Sequence, residues 1–462
     1  MAFFPKKNFC LPNLSKPFFS FIHSTFFSNI SLSLLSLRMS IKSLETELYL
    51  ACLEQNISKL SELLENKEIN INRGQNKWDR NTPLIVSSNI GFVEGVKLLL
   101  ADERVDVNIT NIKCQTAFLM ACSVGQVEVV KLLLEDERVN VNLSDEYITT
   151  PLMASCFESQ KTELIELLLK NPRIEPNTKN ILGKTALYLG CENNKVQIVK
   201  LLLENERVDV NKSNIQGDSC LAIACKKGHQ EIINLLLKHP LLDLNSKNNM
   251  RKDAFYQACE KGRLEIVKLM LKDERLDIHG SNILGYTTLM IACKKNYVEM
   301  ATILLNDPRM NVNLENHFGK TAFHLACERG AIDIVKIMLK HPELDINKKN
   351  KNGFSPFLIA SFNGHLEVLR WIFVSDKVVD SKAINHQGKN AMELAKEGLQ
   401  RTLITYEKFL DAEFSTKRKE EWLLITKLLN DFEQDPEQTK HEVRKILGFE
   451  GIYFFFFFFM II

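Results

Sequence analysis

Ten residues able to cap a helix recur along this chain at almost constant spacing, and that periodicity constrains the fold more than any other feature. They are Thr82, Thr116, Thr150, Thr185, Ser219, Asp253, Thr287, Thr321, Ser355 and Asn390. Each step is 34 residues, except for 35 between Thr150 and Thr185 and between Ser355 and Asn390. A side-chain oxygen at such a place can accept an orphan N–H from the first helical turn. Residues 318–347 show one unit in full. After Thr321, the residues Ala322, Phe323, Leu325 and Ala326 predict a short helix ending at Gly330. Ile332, Ile334, Val335, Ile337, Met338 and Leu339 supply the apolar residues of a second helix. His341-Pro342 stops it, because proline cannot continue a helix. A turn–helix–helix unit at this period predicts a stack in which each unit packs on its neighbours, so 462 residues need no single globular core.

Thr82-Pro83-Leu84, Thr150-Pro151-Leu152 and Thr321-Ala322-Phe323-His324-Leu325-Ala326 resemble the T-P-L-H-x-A signature of the ankyrin repeat. The resemblance covers residues 41–410. It implies an all-α fold, an α-solenoid of about eleven stacked repeats, each a β-hairpin-like turn plus two antiparallel helices. It also implies a non-enzymatic scaffold or adaptor that binds a partner protein through a concave face lined by hairpin tips and first helices. His324 stands at the family's histidine position, which supports backbone turns. The tetratricopeptide pattern has a similar period but lacks the cap–glycine–asparagine punctuation seen here.

Four regions are expected. Residues 1–38, rich in Phe and Ser and without an acidic residue, read as a disordered, targeting or mis-annotated extension, with Met39 as a working start. Residues 39–410 form the array, opened by a degenerate helix pair at 41–66 and closed by a last unit whose second helix is expected at 403–410. Residues 411–449 form a helical appendage split at Asp435-Pro436. Residues 450–462 are a Phe-rich tail, too short to span a bilayer and read as a membrane-touching end or a gene-model artefact. Between repeats runs a loop such as DERVDVN (102–108) or DPRMNVN (307–313), whose Asn is expected to bond backbone in the loop. Two units lack expected glycines. One has Ile148 at its hairpin and Ser159 at its helix end; the other has Met250-Arg251-Lys252 at its tip. Each predicts a different or strained turn, because a positive φ suits glycine.

The formal net charge is only +2, which argues against a globally basic nucleic-acid binder. Seven of the 11 cysteines (Cys52, Cys122, Cys191, Cys225, Cys259, Cys293 and Cys327) share one phase of the repeat, on the first helix. Stacked helices lie roughly 8–10 Å apart, beyond the roughly 7 Å Cα separation a disulfide tolerates. These cysteines are therefore expected to be small, reduced core residues, which fits a cytoplasmic location. No spacing suggests a metal site or a cofactor. Gly183-Lys184-Thr185 and Gly319-Lys320-Thr321 resemble the end of a phosphate loop, but the glycine needed earlier is replaced by Thr178 and Leu314. No nucleophile or carboxylate can be nominated beside His324, so no enzyme is expected.

Two surfaces are candidates for a partner. The residue before the helix-ending glycine position is basic in four consecutive units, at Lys227, Lys261, Lys295 and Arg329, with Lys226 and Lys294 added in alternate units and Glu260 and Glu328 opposed. Such a row could read an acidic segment; the alternative is a solvated helix face. The hairpin tips carry Trp78, Ile112, Tyr147, Ile181, Leu182, Ile215, Met250, Ile283, Leu284, Tyr286, Phe318 and Phe354. They either anchor a partner or fold onto the neighbouring tip. A monomer is expected, with no nucleic acid and no membrane partner. Two further readings are a substrate-recruiting subunit of a signalling or ubiquitin-ligase assembly docking through residues 411–449, and a membrane-tethered scaffold.

Overall fold

In the computed structural model, which describes residues 43–74, 79–157, 162–407 and 412–449, all ten predicted caps open helices. Thr321 is extended, at φ −88°, and its Oγ1 accepts the N–H of His324 at 3.4 Å. Asp253 accepts the N–H of Tyr256 at 2.7 Å. Asn390 closes a reciprocal pair: its Oδ1 accepts the Glu393 N–H at 3.0 Å, and Glu393 Oε2 accepts that of Asn390 at 2.9 Å. First helices end where a residue can take positive φ, as at Gly228 (+92°), Gly330 (+65°) and Asn296 (+55°).

The chain divides into two compact units, residues 1–180 and 181–462. In the first, the helix pairs are Leu44–Leu53 with Ile57–Glu65, Pro83–Ile90 with Val93–Ala101, Ala117–Val124 with Val127–Glu135, and Pro151–Ser155 with Thr162–Lys170. In the second they are Ala186–Glu192 with Val196–Leu203, Cys220–Lys227 with Gln230–Leu237, Ala254–Glu260 with Leu264–Met270, Thr288–Lys295 with Val298–Leu305, Ala322–Arg329 with Ile332–Leu339, and Pro356–Asn363 with Leu366–Val374. Three longer helices follow: Ala391–Glu407, Ala412–Gln434 and Pro436–Ile446. Within each unit, successive first helices pack on one another more densely than successive second helices do. First helices are accordingly buried on nearly every side. Thr288 to Cys293 are all buried, whereas the second helix of that repeat buries Met300, Ala301, Leu304 and Leu305. Small residues suit so crowded a helix, and the seven in-phase cysteines are buried and unpaired there.

Each turn is a three-residue loop closed by a residue of positive φ. At Asn316 the backbone N–H donates to Lys320 O at 2.9 Å, and the Gly319 N–H donates to Asn316 O at 2.9 Å. Asn316 Oδ1 accepts two further loop N–H groups, from Phe318 and Lys320. The described residues contain no strand; Ser281 and Thr287 form an antiparallel bridge. Ile148 and Arg251 adopt the glycine conformation, at φ +58° and +60°, and keep the same turn bonds. The turns are thus strained rather than different. The structure adds two more that the sequence reading passed over, at Arg80 (+55°) and Cys114 (+58°). Ser159 lies outside the described residues.

The loop asparagines bond backbone, but across repeats rather than within their own loop. Asn313 Nδ2 donates to Glu343 O at 2.6 Å, and its Oδ1 accepts the Asp345 N–H at 3.0 Å. Asn108 holds the Arg138 carbonyl and the Asn140 N–H in the same way. The loop arginine also reaches backward. Arg309 is held by Asp307 at 2.8 Å and donates to Leu271 O, a carbonyl at the end of the preceding second helix. That pairing holds the Asp307 carboxyl below its usual range, and Asp102, Asp136 and Asp273 behave alike beside Arg104, Arg138 and Arg275.

At the C-terminal end one expectation fails. The last repeat has no separate second helix at 403–410; Ala391–Glu407 runs unbroken. Where other first helices end, nine residues after the cap, this repeat has Leu399, a good helix former, and its glycine comes one residue early at Gly398. That glycine serves close packing instead, since a Cβ there would lie 2.1 Å from Phe362 O and 2.5 Å from the Trp422 ring. The two final helices divide at Asp435-Pro436, Asp435 capping the second through the Gln438 N–H. They pack on the end of the second unit. Trp422 is buried, Phe432 stacks on Phe373 at 3.8 Å between centroids, and Phe449 meets Trp371 edge-on at 5.4 Å. No helix among the described residues is long and apolar enough to cross a membrane.

Candidate functional site

The six basic residues singled out in the sequence sit at the C-terminal ends of consecutive first helices in the second unit. Lys226 and Lys227 end one helix, Lys261 follows the next, Lys294 and Lys295 end the third, and Arg329 ends the fourth. All six are exposed, because the core ends at the preceding cysteine in each helix. Cations at a helix C-terminus also complement its partial negative charge.

The acids set against this row are neutralised locally. Glu260 is gripped by Lys252 of its own turn, at 2.8 and 2.9 Å, and Glu328 by Lys320 at 2.7 Å. The same bridge joins Lys184 to Glu192 at 2.6 Å, and Lys389 to Glu397. It therefore appears in every second repeat of the second unit. In the intervening repeats the same two positions hold Asp218 with Lys226, Tyr286 with Lys294 and Phe354 with Phe362. Lys294 lies 4.9 Å from the centre of the Tyr286 ring, and Phe354 meets Phe362 edge-on at 6.3 Å. Asp218 is buried and accepts hydrogen bonds from Asn248 and Gln257 instead. The signal for these bridges was present in the sequence as a Lys and a Glu eight residues apart. Sequence reading missed it because the pair spans a turn rather than a helical face.

Beside Lys294 and Lys295 opens a cleft of about 350 Å³. Tyr256, Leu284, Tyr286 and Ile291 give it apolar walls, Lys294, Lys295 and Arg329 give it positive charge, and Glu260, held by Lys252, adds one carboxylate. Lys295 also donates to the Glu260 carbonyl at 2.6 Å, which ties one helix end to the next. The Tyr256 hydroxyl accepts from Asn282 at 2.9 Å, and burial pushes its pKa up.

The hairpin tips divide into two groups. In the first unit Ile112 and Tyr147 are about half exposed. In the second, Ile181, Ile215, Met250, Ile283, Leu284 and Phe318 are 46–54% exposed. Leu182, Tyr286 and Phe354 are more covered. Trp78 lies outside the described residues. Within each unit, successive tips are tied by a backbone hydrogen bond, as from Ile283 N–H to Met250 O at 2.9 Å and from His317 N–H to Leu284 O at 3.0 Å.

His324 is a structural group. It is fully buried; its Nδ1 accepts the Thr321 N–H at 3.1 Å and its Nε2 faces Phe354 O at 3.1 Å. That pattern fixes the proton on Nε2. Burial pushes the pKa down to about 4, so the ring is neutral near pH 7. In the two phosphate-loop lookalikes, Lys184 and Lys320 are in ion pairs and Thr185 and Thr321 are helix caps. Among the described residues no group of His, Cys, Asp or Glu is arranged to hold a metal.

The family model for ankyrin repeats (three copies) matches residues 87–180, 156–248, 240–316 and 308–383, well over half of the chain. The chain belongs to the ankyrin-repeat family. Ankyrin repeats are in general protein–protein interaction modules. No curated protein matches this one. Among solved structures it is similar to the ankyrin repeat domain of Bcl-3, described as a unique member of the IkappaB protein family. That match has 23% identity and a TM-score of 0.45, covering 48% of this chain and 97% of that one. It is also similar to EF0377, an ankyrin repeat protein, at 29% identity and a TM-score of 0.39, covering 41% of this chain and 96% of that one.

Proposed function

We propose that this ankyrin array is a non-enzymatic scaffold or adaptor whose second unit holds an acidic segment of a partner protein along Lys226, Lys227, Lys261, Lys294, Lys295 and Arg329. The observation that carries the reading is the pairing of Glu260 and Glu328 with their own turn lysines, which leaves six exposed cations without an opposing carboxylate in the row. The exposed tips Met250, Ile283, Leu284 and Phe318 supply apolar contact beside it. The protein acts as a monomer in the cytoplasm, without nucleic acid or membrane.

The test is a quantitative pull-down from native lysate, using the full chain and a variant with Lys227, Lys261, Lys295 and Arg329 all changed to Glu. Circular dichroism first establishes that both are folded. Loss of specific partners from the variant is expected. Retention of the same partners sinks the reading and returns the row to a solvated helix face.

A second reading, a substrate-recruiting subunit docking through residues 411–449, is favoured by Leu423, Leu424 and Ile446, large apolar residues exposed on the final helices. Changing all three to Ser leaves partner capture intact if the basic row is the site, and abolishes it if the final helices are. The Phe-rich ends on which a membrane-tethered scaffold would rely lie outside the described residues.

A further inference from the structure

We propose that the segment held by the basic row is an acidic polyproline II stretch with Glu or Asp at every third position and one large apolar side chain seated in the cleft at Leu284, Tyr286 and Ile291. This rests on the acidic-partner reading above and specifies its geometry. The cations are presented one helix apart, and packed helices are spaced roughly 8–10 Å. A polyproline II chain has three residues per turn and rises about 3.1 Å per residue, so every third side chain returns to one face after roughly 9 Å. A β-strand returns to one face every second residue, after roughly 7 Å, and falls out of step within two repeats.

A helical ligand can also present charges at a matching interval, but a docked helix needs a continuous apolar groove for several anchors. Here the cleft has apolar walls only at Tyr256, Leu284, Tyr286 and Ile291 and is flanked by charged residues, which offers one apolar anchoring point rather than a row of them. A polyproline II backbone has no internal hydrogen bonds, so its carbonyls are free to accept from the additional lysines, Lys226 and Lys294. The cleft joins an aromatic wall to three cations, which suits an apolar residue flanked by carboxylates.

The experiment is fluorescence anisotropy of the full chain with three labelled synthetic peptides of identical composition, four Glu and one Phe in each. Glu stands at every third position in one, at alternate positions in the second and in one block in the third. The every-third peptide is expected to bind at least tenfold tighter than either of the others. That preference disappears in the Lys227, Lys261, Lys295 and Arg329 to Glu variant. Leu284→Ser weakens the Phe-bearing peptide several-fold and leaves its Phe→Ala counterpart unchanged. Equal binding of all three peptides overturns the spacing inference while the acidic-partner reading stands. Failure of every acidic peptide to bind overturns both. A single-stranded oligothymidylate that binds more tightly than the peptides and displaces them overturns the proposal in favour of a general polyanion surface.

Discussion

Asp253 is the one ionisable residue among the ten helix caps. Its Oδ1 caps the helix, but Oδ2 is buried without a hydrogen-bond partner. The space it fills exists because the facing residue is Gly280, where a Cβ would lie 1.9 Å from that oxygen. Burial pushes the carboxyl up to about 6, with Asp277 adding to the rise and Lys247 opposing it. In the unfolded chain the same group titrates near 3.9. Below about pH 4 both states are protonated and no penalty arises. As pH rises toward 6 the unfolded state ionises first, so stability falls, and above 6 the loss is complete at roughly 3 kcal/mol. In urea unfolding, the Asp253→Asn variant should gain on the parent chain between pH 4 and pH 7, a difference that isolates this carboxyl from His324, whose burial acts in the opposite sense over the same window. Ile148 offers a second test at this scale. A β-branched residue at φ +58° is strained, and Ile148→Gly should raise stability by about 1 kcal/mol in denaturant unfolding.

At the scale of elements, the repeats at Asp145 and Asn248 are expected to be the weak members of their units. The first has a β-branched residue at its positive-φ turn position, where the repeats before it have Arg80 and Cys114, and a first helix only five residues long, Pro151–Ser155, against the usual seven or eight. The second combines Arg251 at positive φ with the buried, unpartnered Oδ2 of its cap Asp253. Amides of both should exchange hydrogen faster than those of the repeats beside them, and equal protection would refute this. The turns at Ile148 and Arg251 were legible because a missing glycine breaks a periodic pattern, although the same signal at Arg80 and Cys114 was passed over. The caps were legible for the same reason, ten coincidences being hard to misread. The unbroken helix Ala391–Glu407 was not, because Gly398 resembles a terminator and only its contact with Trp422 shows otherwise. Nor was the reach of the loop asparagines into the following loop, since a single unit does not contain both partners.

At the scale of the molecule, the array needs no central core, and its ends are where apolar surface must be covered. The second unit is closed by its final helices, with Trp422 against Gly364 and Gly398. Trp422→Ala should destabilise the last repeats by about 3–5 kcal/mol, measured as an early transition in urea unfolding of the full chain. The periodicity announced the array, and the basic row was visible as a phase of it. What the row faces was not visible, because the charge of a surface depends on which carboxylates are already held, and that is decided by folding.

The bridges from Lys184, Lys252 and Lys320 recur every 68 residues, so the electrostatic grain of the second unit is two repeats although its structural grain is one. A genetic event that removed a single repeat would leave every remaining bridge unbroken, since both partners lie in one repeat, yet would bring two like repeats side by side and set the later bridges out of alternation. Loss or gain of a pair would be silent in both respects. Each of these repeats thus carries its own charge balance, and a change in length alters the order of the bridges without undoing any of them.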